Sequence, residues 1–317
     1  MPHVLVAGKI HAKGIDLLKA QADLTYELVE GPAEDSFASR IGDADALVIR
    51  TQPLTAEFIA AGRKLQVVSR HGVGYDAVDV AALDAREIPL VVVGDVNSAG
   101  VAEHAMTLLL SASHLAIRSD RAVREGGWDW RLKVEASEIT GKNLLILGFG
   151  RIGRRLAVLA KGFGMTIRAY DPYLFSQGWP DATVRPFDDL KEALNWADAI
   201  SIHMPRADRP IIGADEFAAM KASSILVNTS RGGIVEEQAL FDALSTGRLF
   251  AAGIDVFDEE PPATDCPLFS LDNVVLSPHI AGLTCEGAER LAVHSVQNVI
   301  DFFAGCLDPD LIVNGVR

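Results

Sequence analysis

Apolar residues in this chain fall in short β-branched runs separated by stretches with helical spacing, almost from end to end. Strands are predicted at Val4–Ala7, Ala46–Ile49, Gln66–Ser69, Leu90–Val93, Leu144–Leu147, Thr166–Tyr170, Ala199–His203, Ile225–Asn228, Ala251–Phe257 and Val274–Ser277. Several are apolar at consecutive positions, the pattern of parallel strands covered on both faces. Helical segments between them make βαβ units and an α/β fold. The alternation weakens between Asn97 and Gly127. There an apolar-rich helix over Val101–Leu110 runs on into Ser111–Arg124, charged at helical spacing, and Gly126-Gly127-Trp128-Asp129-Trp130 ends it. A long helix of this kind suits a link between two lobes. After Gly282, the apolar positions Leu291, Val296, Val299, Ile300 and Phe303 predict a last amphipathic helix, placed to pack back on the first lobe. These patterns divide the chain into residues 1–98 plus 284–317 and residues 99–283.

The run Asn143-Leu144-Leu145-Ile146-Leu147-Gly148-Phe149-Gly150-Arg151-Ile152-Gly153, followed by Asp171, reads as strand, glycine-rich turn, helix start and an acid closing the next strand. The three glycines serve a tight turn, close backbone approach to a pyrophosphate, and close helix–strand packing. The pyrophosphate sits on the helix N-terminus, where free N–H groups and the helix dipole favour negative charge. Asp171 is placed to accept hydrogen bonds from an adenosine ribose. A 2′-phosphate would be repelled there, and Pro172–Val184 contains no Lys or Arg to receive one, so NAD is expected over NADP. A second pattern, Gly72-Val73-Gly74-Tyr75-Asp76-Ala77, also matches G-x-G-x-x-A. It puts Asp76 in the first helical turn, against a pyrophosphate, and Asp95 lies beyond Gly94, past the end of the following strand. Its backbone N–H groups form instead a nest suited to a carboxylate.

Composition narrows the classes. At 317 residues the chain is long enough for two domains, and its 49% hydrophobic and 23% charged content are those of a soluble globular protein. A net charge of −14 argues against nucleic acid or an anionic membrane surface as the main partner. Cys266, Cys285 and Cys306 form no C-x-x-C pair and read as reduced thiols. No segment has the character of a signal peptide, and no apolar run approaches the roughly 18 residues of a membrane span. A cytoplasmic location is expected, with no metal site.

Polar residues collect after the strands of the second lobe: Arg231 after Ile225–Ser230, Asp255 and Glu260 in or after Ala251–Phe257, His279 after Val274–Pro278. Ligands of open parallel sheets bind outside the carboxyl ends of the strands. Histidine titrates in the range needed to give or take a substrate proton during hydride transfer. A neighbouring carboxylate fixes its tautomer and raises its pKa. Arginine can hold a carboxylate bidentately and polarise an adjacent carbonyl.

With these residues in view, the chain resembles the D-isomer-specific 2-hydroxyacid dehydrogenases over nearly its whole length. The likeness is carried by Val101-Ala102-Glu103-His104, Gly148–Gly153 with Asp171, and Asn228-Thr229-Ser230-Arg231-Gly232-Gly233-Ile234-Val235. Ala252-Gly253-Ile254-Asp255-Val256-Phe257, Glu260-Pro261-Pro262 and Ser277-Pro278-His279-Ile280-Ala281-Gly282 carry it further. The resemblance implies two Rossmann-like or flavodoxin-like lobes with a cleft between them, the 1–98 plus 284–317 domain binding substrate and 99–283 binding NAD. It implies that His279 is the acid/base, that Glu260 pairs with it and that Arg231 binds substrate. Cofactor contacts are implied at Gly148, Gly150, Arg151, Ile152, Gly153, Asp171, Met204, Thr229, Ser230, Asp255 and Gly282, and substrate contacts at Gly72, Val73, Gly74 and Arg50. The family usually has Leu after the proline of Met204-Pro205 and a Thr-containing loop; here Arg206-Ala207-Asp208-Arg209-Pro210 follows, whose arginines read as surface charges. Family members are commonly dimers, and the 100–135 segment with Trp128 and Trp130 is the expected interface of a homodimer.

The implied reaction moves hydride between NAD(H) and a small D-2-hydroxy acid or 2-oxo acid. Hydroxypyruvate/glycerate and 3-phosphoglycerate both suit a single Arg50 in the Arg50-Thr51-Gln52-Pro53 loop. The chain also resembles phosphoglycerate dehydrogenases; with the sequence ending at Arg317, the regulatory domain of the long ones is not expected. The alternative is an NADH-binding corepressor-like interaction protein of the same fold.

Overall fold

The structure, a computed structural model, describes residues 1–31 and 37–316. They form two compact units, Met1–Asn97 with Leu283–Arg317, and Ser98–Gly282.

The first unit holds a parallel sheet of β1 (His3–Ala7), β2 (Thr25–Val29), β3 (Ala46–Ile49), β4 (Val67–Arg70) and β5 (Leu90–Val91), in the order β2-β1-β3-β4-β5. Alternation along the strands sorts the side chains into two layers. Leu5, Leu47, Ile49 and Val68 face Ile59 and Leu83 on one side, while Val4, Val6, Val48 and Val67 face Val296 and Val299 on the other. The last two belong to the helix Cys285–Ala304, the expected C-terminal helix, which does pack on this unit. Thr284 caps it by accepting from Gly287 N at 2.9 Å. Its contact with the helix Ala12–Lys19 is close: a methyl group on Gly14 would lie 2.8 Å from the Ala292 carbonyl oxygen.

The second unit holds β6 (Asn143–Leu147), β7 (Thr166–Tyr170), β8 (Arg185–Phe187), β9 (Ala199–Ile202), β10 (Ile225–Asn228), β11 (Ala251–Ile254) and β12 (Val274–Leu276). All run parallel in the order β12-β11-β10-β9-β6-β7-β8. Leu145, Leu147, Ile200, Ile202, Leu226 and Ile254 pack one face. Leu144, Ile146, Ile225 and Val227 pack the other, under Ala105, Met106 and Leu109 of the helix Ser98–Ser113 and Leu156 and Ala160 of Arg151–Gly162. Strand order reverses between β6 and β9, so this carboxyl edge has the switch point where open α/β sheets bind ligands.

Three expectations change. β2 and β8 carry no continuous apolar run and escape the sequence pattern; both are edge strands. β9 ends before His203 and β11 before Asp255, so those residues belong to loops. The helix expected to run through Ser111–Arg124 breaks: Ser98–Ser113 ends, Leu115 takes φ 50, and a separate helix, Ala116–Arg124, follows. Leu115 is buried at 6% exposure, and this burial offsets the cost of a left-handed residue.

Candidate active site

Gly148 ends β6 with φ 89, a conformation open to glycine, and a methyl group there would come within 2.6 Å of the His203 carbonyl oxygen. Gly153 lets the helix Arg151–Gly162 lie on β6: a methyl group on it would meet Gly148 O at 2.4 Å and Ile146 Cγ2 at 2.9 Å. Gly150, the residue before the helix, has no side-chain cap and nothing within 4 Å of its missing methyl among the described residues. An anion therefore finds free backbone N–H groups and open space at this turn. Arg151 stands exposed in the first helical turn and Ile152 is half-buried beside it. Asp171 accepts from Phe149 N at 2.9 Å and from Leu174 N at 3.0 Å, one bond to each oxygen, and so ties the glycine turn to the end of β7. The remaining lone pairs suit ribose hydroxyls.

Past β10, Asn228 organises the next turn. Its Oδ1 accepts from Ser230 N and Ser230 Oγ, both at 3.0 Å, and its Nδ2 donates to Arg231 O at 2.9 Å. Thr229 is buried at 6% exposure, and its hydroxyl has no hydrogen-bond partner among the described residues. A buried hydroxyl is costly to leave unpaired, so this orphaned group, with the open glycine turn, fits the seat of a polar cofactor.

After β11 and β12 the chain builds a proton-handling pair. His279 Nδ1 lies 2.6 Å from Glu260 Oε2, and Glu260 Oε1 accepts from Phe257 N at 3.1 Å. Glu260 raises the His279 pKa; burial and the Arg231 charge oppose this without cancelling it. Burial alone would raise the Glu260 pKa, but the bonds from His279 and Phe257 N hold it below the usual carboxylate range. Nδ1 being engaged, Nε2 is the nitrogen left to exchange a proton with a substrate.

Asp255 is fully buried beneath this pair. Its Oδ1 accepts from Ser277 Oγ at 2.6 Å and Ile280 N at 3.0 Å, its Oδ2 from Ala281 N at 2.9 Å, and His104 Nε2 stands 3.5 Å away. Burial pushes its pKa up, but these donors together hold it down. The Asp255 carbonyl accepts from His279 N at 2.8 Å. Asp255 thus holds the 277–281 segment, and His279 with it, in place.

In the first unit, Arg50 follows β3 and donates from Nη1 to Lys9 O at 3.0 Å. Gly72-Val73-Gly74 follows β4, with open space where a Gly72 side chain would stand. Arg70 holds this loop, donating from Nε to Gly74 O at 2.8 Å and from Nη1 to Ile49 O at 3.1 Å. His71 is buried, and its pKa is lowered to about 4 by that burial and by the charges of Arg50 and Arg70, against its own backbone hydrogen bond.

Residues 106–281 match the model of the family described as D-isomer specific 2-hydroxyacid dehydrogenase, NAD binding domain. The chain belongs to the D-isomer-specific 2-hydroxyacid dehydrogenases. This family member is similar to a glyoxylate reductase of Korarchaeum cryptofilum, 36% identical over 98% of this chain and 96% of that one. It is similar to a D-3-phosphoglycerate dehydrogenase of Methanocaldococcus jannaschii, 38% identical over 92% of this chain but 55% of that one, so it spans little more than half of that relative. A crystal structure from Thermus thermophilus superposes with a TM-score of 0.89 at 30% identity, covering 97% of this chain and 98% of that one.

Within the second unit Arg231, Glu260 and His279 follow β10, β11 and β12 at the carboxyl edge, Glu260 and His279 in contact and Arg231 near enough to act on the His279 pKa, with Thr229 and Ser230 on the Arg231 turn and Asp255 at the end of β11. The glycine turn, Asp171 and Met204 lie along the same sheet edge, and Gly282 closes the segment after Ala281. Arg50 and Gly72–Gly74 belong to the first unit. Sequence reasoning missed the parts that act at one remove: Asn228 under the Arg231 turn, Ser277 and His104 on Asp255, and Arg70 behind the Gly72–Gly74 loop. A signal existed for Asn228, Ser277 and His104, since all three sit inside motifs already singled out.

Proposed function

We propose that the protein is an NAD-dependent oxidoreductase that transfers hydride between NAD(H) and a small D-2-hydroxy acid or 2-oxo acid, with hydroxypyruvate/glycerate and 3-phosphoglycerate the leading pairs. The His279–Glu260 pair, with Arg231 near enough to influence the His279 pKa, carries this reading. Nicotinamide supplies or accepts the hydride when bound. In reduction His279 starts protonated and gives the Nε2 proton to the substrate's carbonyl oxygen; in oxidation it starts neutral and takes that proton back. Glu260 stabilises the charged ring and fixes its orientation. Arg231 donates to the substrate's carboxylate and the adjacent oxygen.

The glycine turn with Arg151, Ile152 and Asp171, together with Met204, Thr229, Ser230, Asp255 and Gly282, forms the proposed cofactor contacts. Ser98–Gly282 is accordingly the NAD-binding domain and the first unit the substrate domain, contributing Arg50, Gly72, Val73 and Gly74 toward the substrate. Asp171 favours NAD, because a 2′-phosphate would face its carboxylate. Comparable catalytic efficiency with NADPH would overturn that preference. Three free cysteines suit a reducing cytoplasm, and among the described residues no helix is long and apolar enough to cross a membrane.

The deciding experiment follows NADH oxidation with hydroxypyruvate, glyoxylate, pyruvate and 3-phosphohydroxypyruvate. Turnover is expected with at least one of them. NADH binding without turnover on any would instead favour an interaction protein.

A further inference from the structure

The segment Met204-Pro205-Arg206-Ala207-Asp208-Arg209-Pro210, which departs from the family pattern, is stitched to the turn that presents Arg231. It leaves β9 at His203 and returns to pair with the residues just after that turn: Ile211 N and Ile212 N donate to Ile234 O at 2.8 and 3.0 Å, and Glu236 N donates to Ile212 O at 2.9 Å. Between these anchors the Arg206 guanidinium lies over Gly233. A methyl group on Gly233 would stand 3.1 Å from Arg206 Nη2, 3.2 Å from Nε and 3.3 Å from Cζ. Gly233 has φ 75, and its N–H donates to Asp258 Oδ1 at 2.6 Å. Gly232 has no room at all, since a methyl group there would fall 1.8 Å from the Phe257 carbonyl oxygen. The turn is therefore seated on Phe257–Asp258 below and covered by a planar cation above.

We propose that Arg206 is a positioning residue for Arg231: its guanidinium covers the Gly232–Gly233 turn and sets the direction in which Arg231 meets the substrate. The inference rests on the function proposed above. The glycine pair that follows Arg231 has no side chains of its own to pack, and Phe257–Asp258 seats it from one side. Arg206 supplies the missing packing surface from the neighbouring loop. Arg209, three residues on in the same loop, is also exposed and serves as the control for loop charge.

The test measures kcat and KM for the best 2-oxo acid, and the NADH dissociation constant by fluorescence, in Arg206→Ala, Arg206→Lys, Arg209→Ala, Arg231→Ala and the Arg206→Ala/Arg231→Ala double variant. Arg206→Ala is expected to lower kcat/KM roughly 10- to 100-fold, the scale of a displaced substrate-binding group, through both KM and kcat. NADH affinity and melting temperature should stay at wild-type values, as should the kinetics of Arg209→Ala. In the Arg231→Ala background the Arg206 substitution should cost less than about twofold more, because the two residues act as a unit. Arg206→Lys keeps the charge without the plane and should restore little. Wild-type kcat/KM in Arg206→Ala would overturn the proposal, as would full rescue by lysine or an equal loss in the Arg231→Ala background. If the wild-type protein reduces no 2-oxo acid, the functional reading fails and this inference with it; if the wild type turns over and Arg206→Ala does too, only this inference fails.

Discussion

His279 sits at φ 51, in the left-handed region that a side chain with a β-carbon enters at a cost of about 1–2 kcal/mol. The fold holds it there through the bond from His279 N to Asp255 O and the grip of the Asp255 carboxylate on Ile280 N and Ala281 N. Two substitutions separate this strain from the chemistry. His279→Ala and His279→Gly should both lose roughly 100-fold or more in kcat while still binding NADH. Glycine carries no left-handed penalty, so His279→Gly should nevertheless unfold at a higher denaturant concentration than His279→Ala. The reverse order would refute the strain, and near-normal turnover in either would remove His279 as the acid/base. The pH profile tests the partner. Reduction needs protonated His279, so its rate is full below the raised pKa and falls as pH climbs through it. Glu260→Gln removes the largest raising cause; burial and Arg231, which lower the value, then remain against the Asp255 charge alone, which raises it. The falling limb for reduction, and the rising limb for oxidation, should therefore move to lower pH. Unmoved limbs would argue against the pairing. These three side chains were legible in the sequence because each follows a strand in a motif of distinctive composition. The lock beneath them was not, because the donors to Asp255 come from one strand end and one helix far apart in sequence.

At the scale of elements, burial decided what could be read. Central strands such as β3, β9 and β10 are buried throughout; β3 is an unbroken apolar run, and the other two are interrupted only by Ser201 and by the terminal Asn228. β2 and β8, with one neighbour each, keep polar residues among the apolar ones and carry no such run. The broken helix at Leu115 escaped for another reason: nothing local marks a leucine as left-handed, and only its burial in the folded unit explains it. The glycine turn was readable because its spacing is a packing requirement. Gly153→Ala tests that. The added methyl group would meet the backbone oxygen of Gly148 at 2.4 Å, which no side-chain rotation can relieve, so the helix must lift off β6. A loss of about 1–3 kcal/mol in stability is expected from such overpacking. The displaced N-terminus should also raise the NADH dissociation constant several-fold. Unchanged stability and affinity by denaturation and titration would show that helix and strand do not need this closeness.

At the scale of the whole molecule, the homodimer expected from the sequence has a candidate interface in surface that the fold leaves uncovered. The helix Ala116–Arg124 and the turn Trp128–Lys133 bury no residue of their own. Trp128 is 61% exposed, Leu132 70% and Val134 86%, a cluster of large apolar groups at one stretch of chain. Monomeric soluble proteins rarely leave such patches open, and aromatic and arginine side chains are the residues interfaces favour. Arg118 and Arg131 lie over Trp130 and Trp128, each 5.4 Å from the ring centroid, and hold the indoles in place. Charge works against association, because each chain carries −14 and two copies repel. Apolar burial must outweigh that repulsion, which salt screens. Light scattering should therefore give twice the 34.0 kDa chain mass, and the dimer should tighten as salt rises. Trp128→Asp with Leu132→Asp should yield a folded monomer, since both side chains already face solvent within one chain. A wild-type monomer at micromolar concentration, or a dimer indifferent to both substitutions, would move the interface elsewhere or remove it.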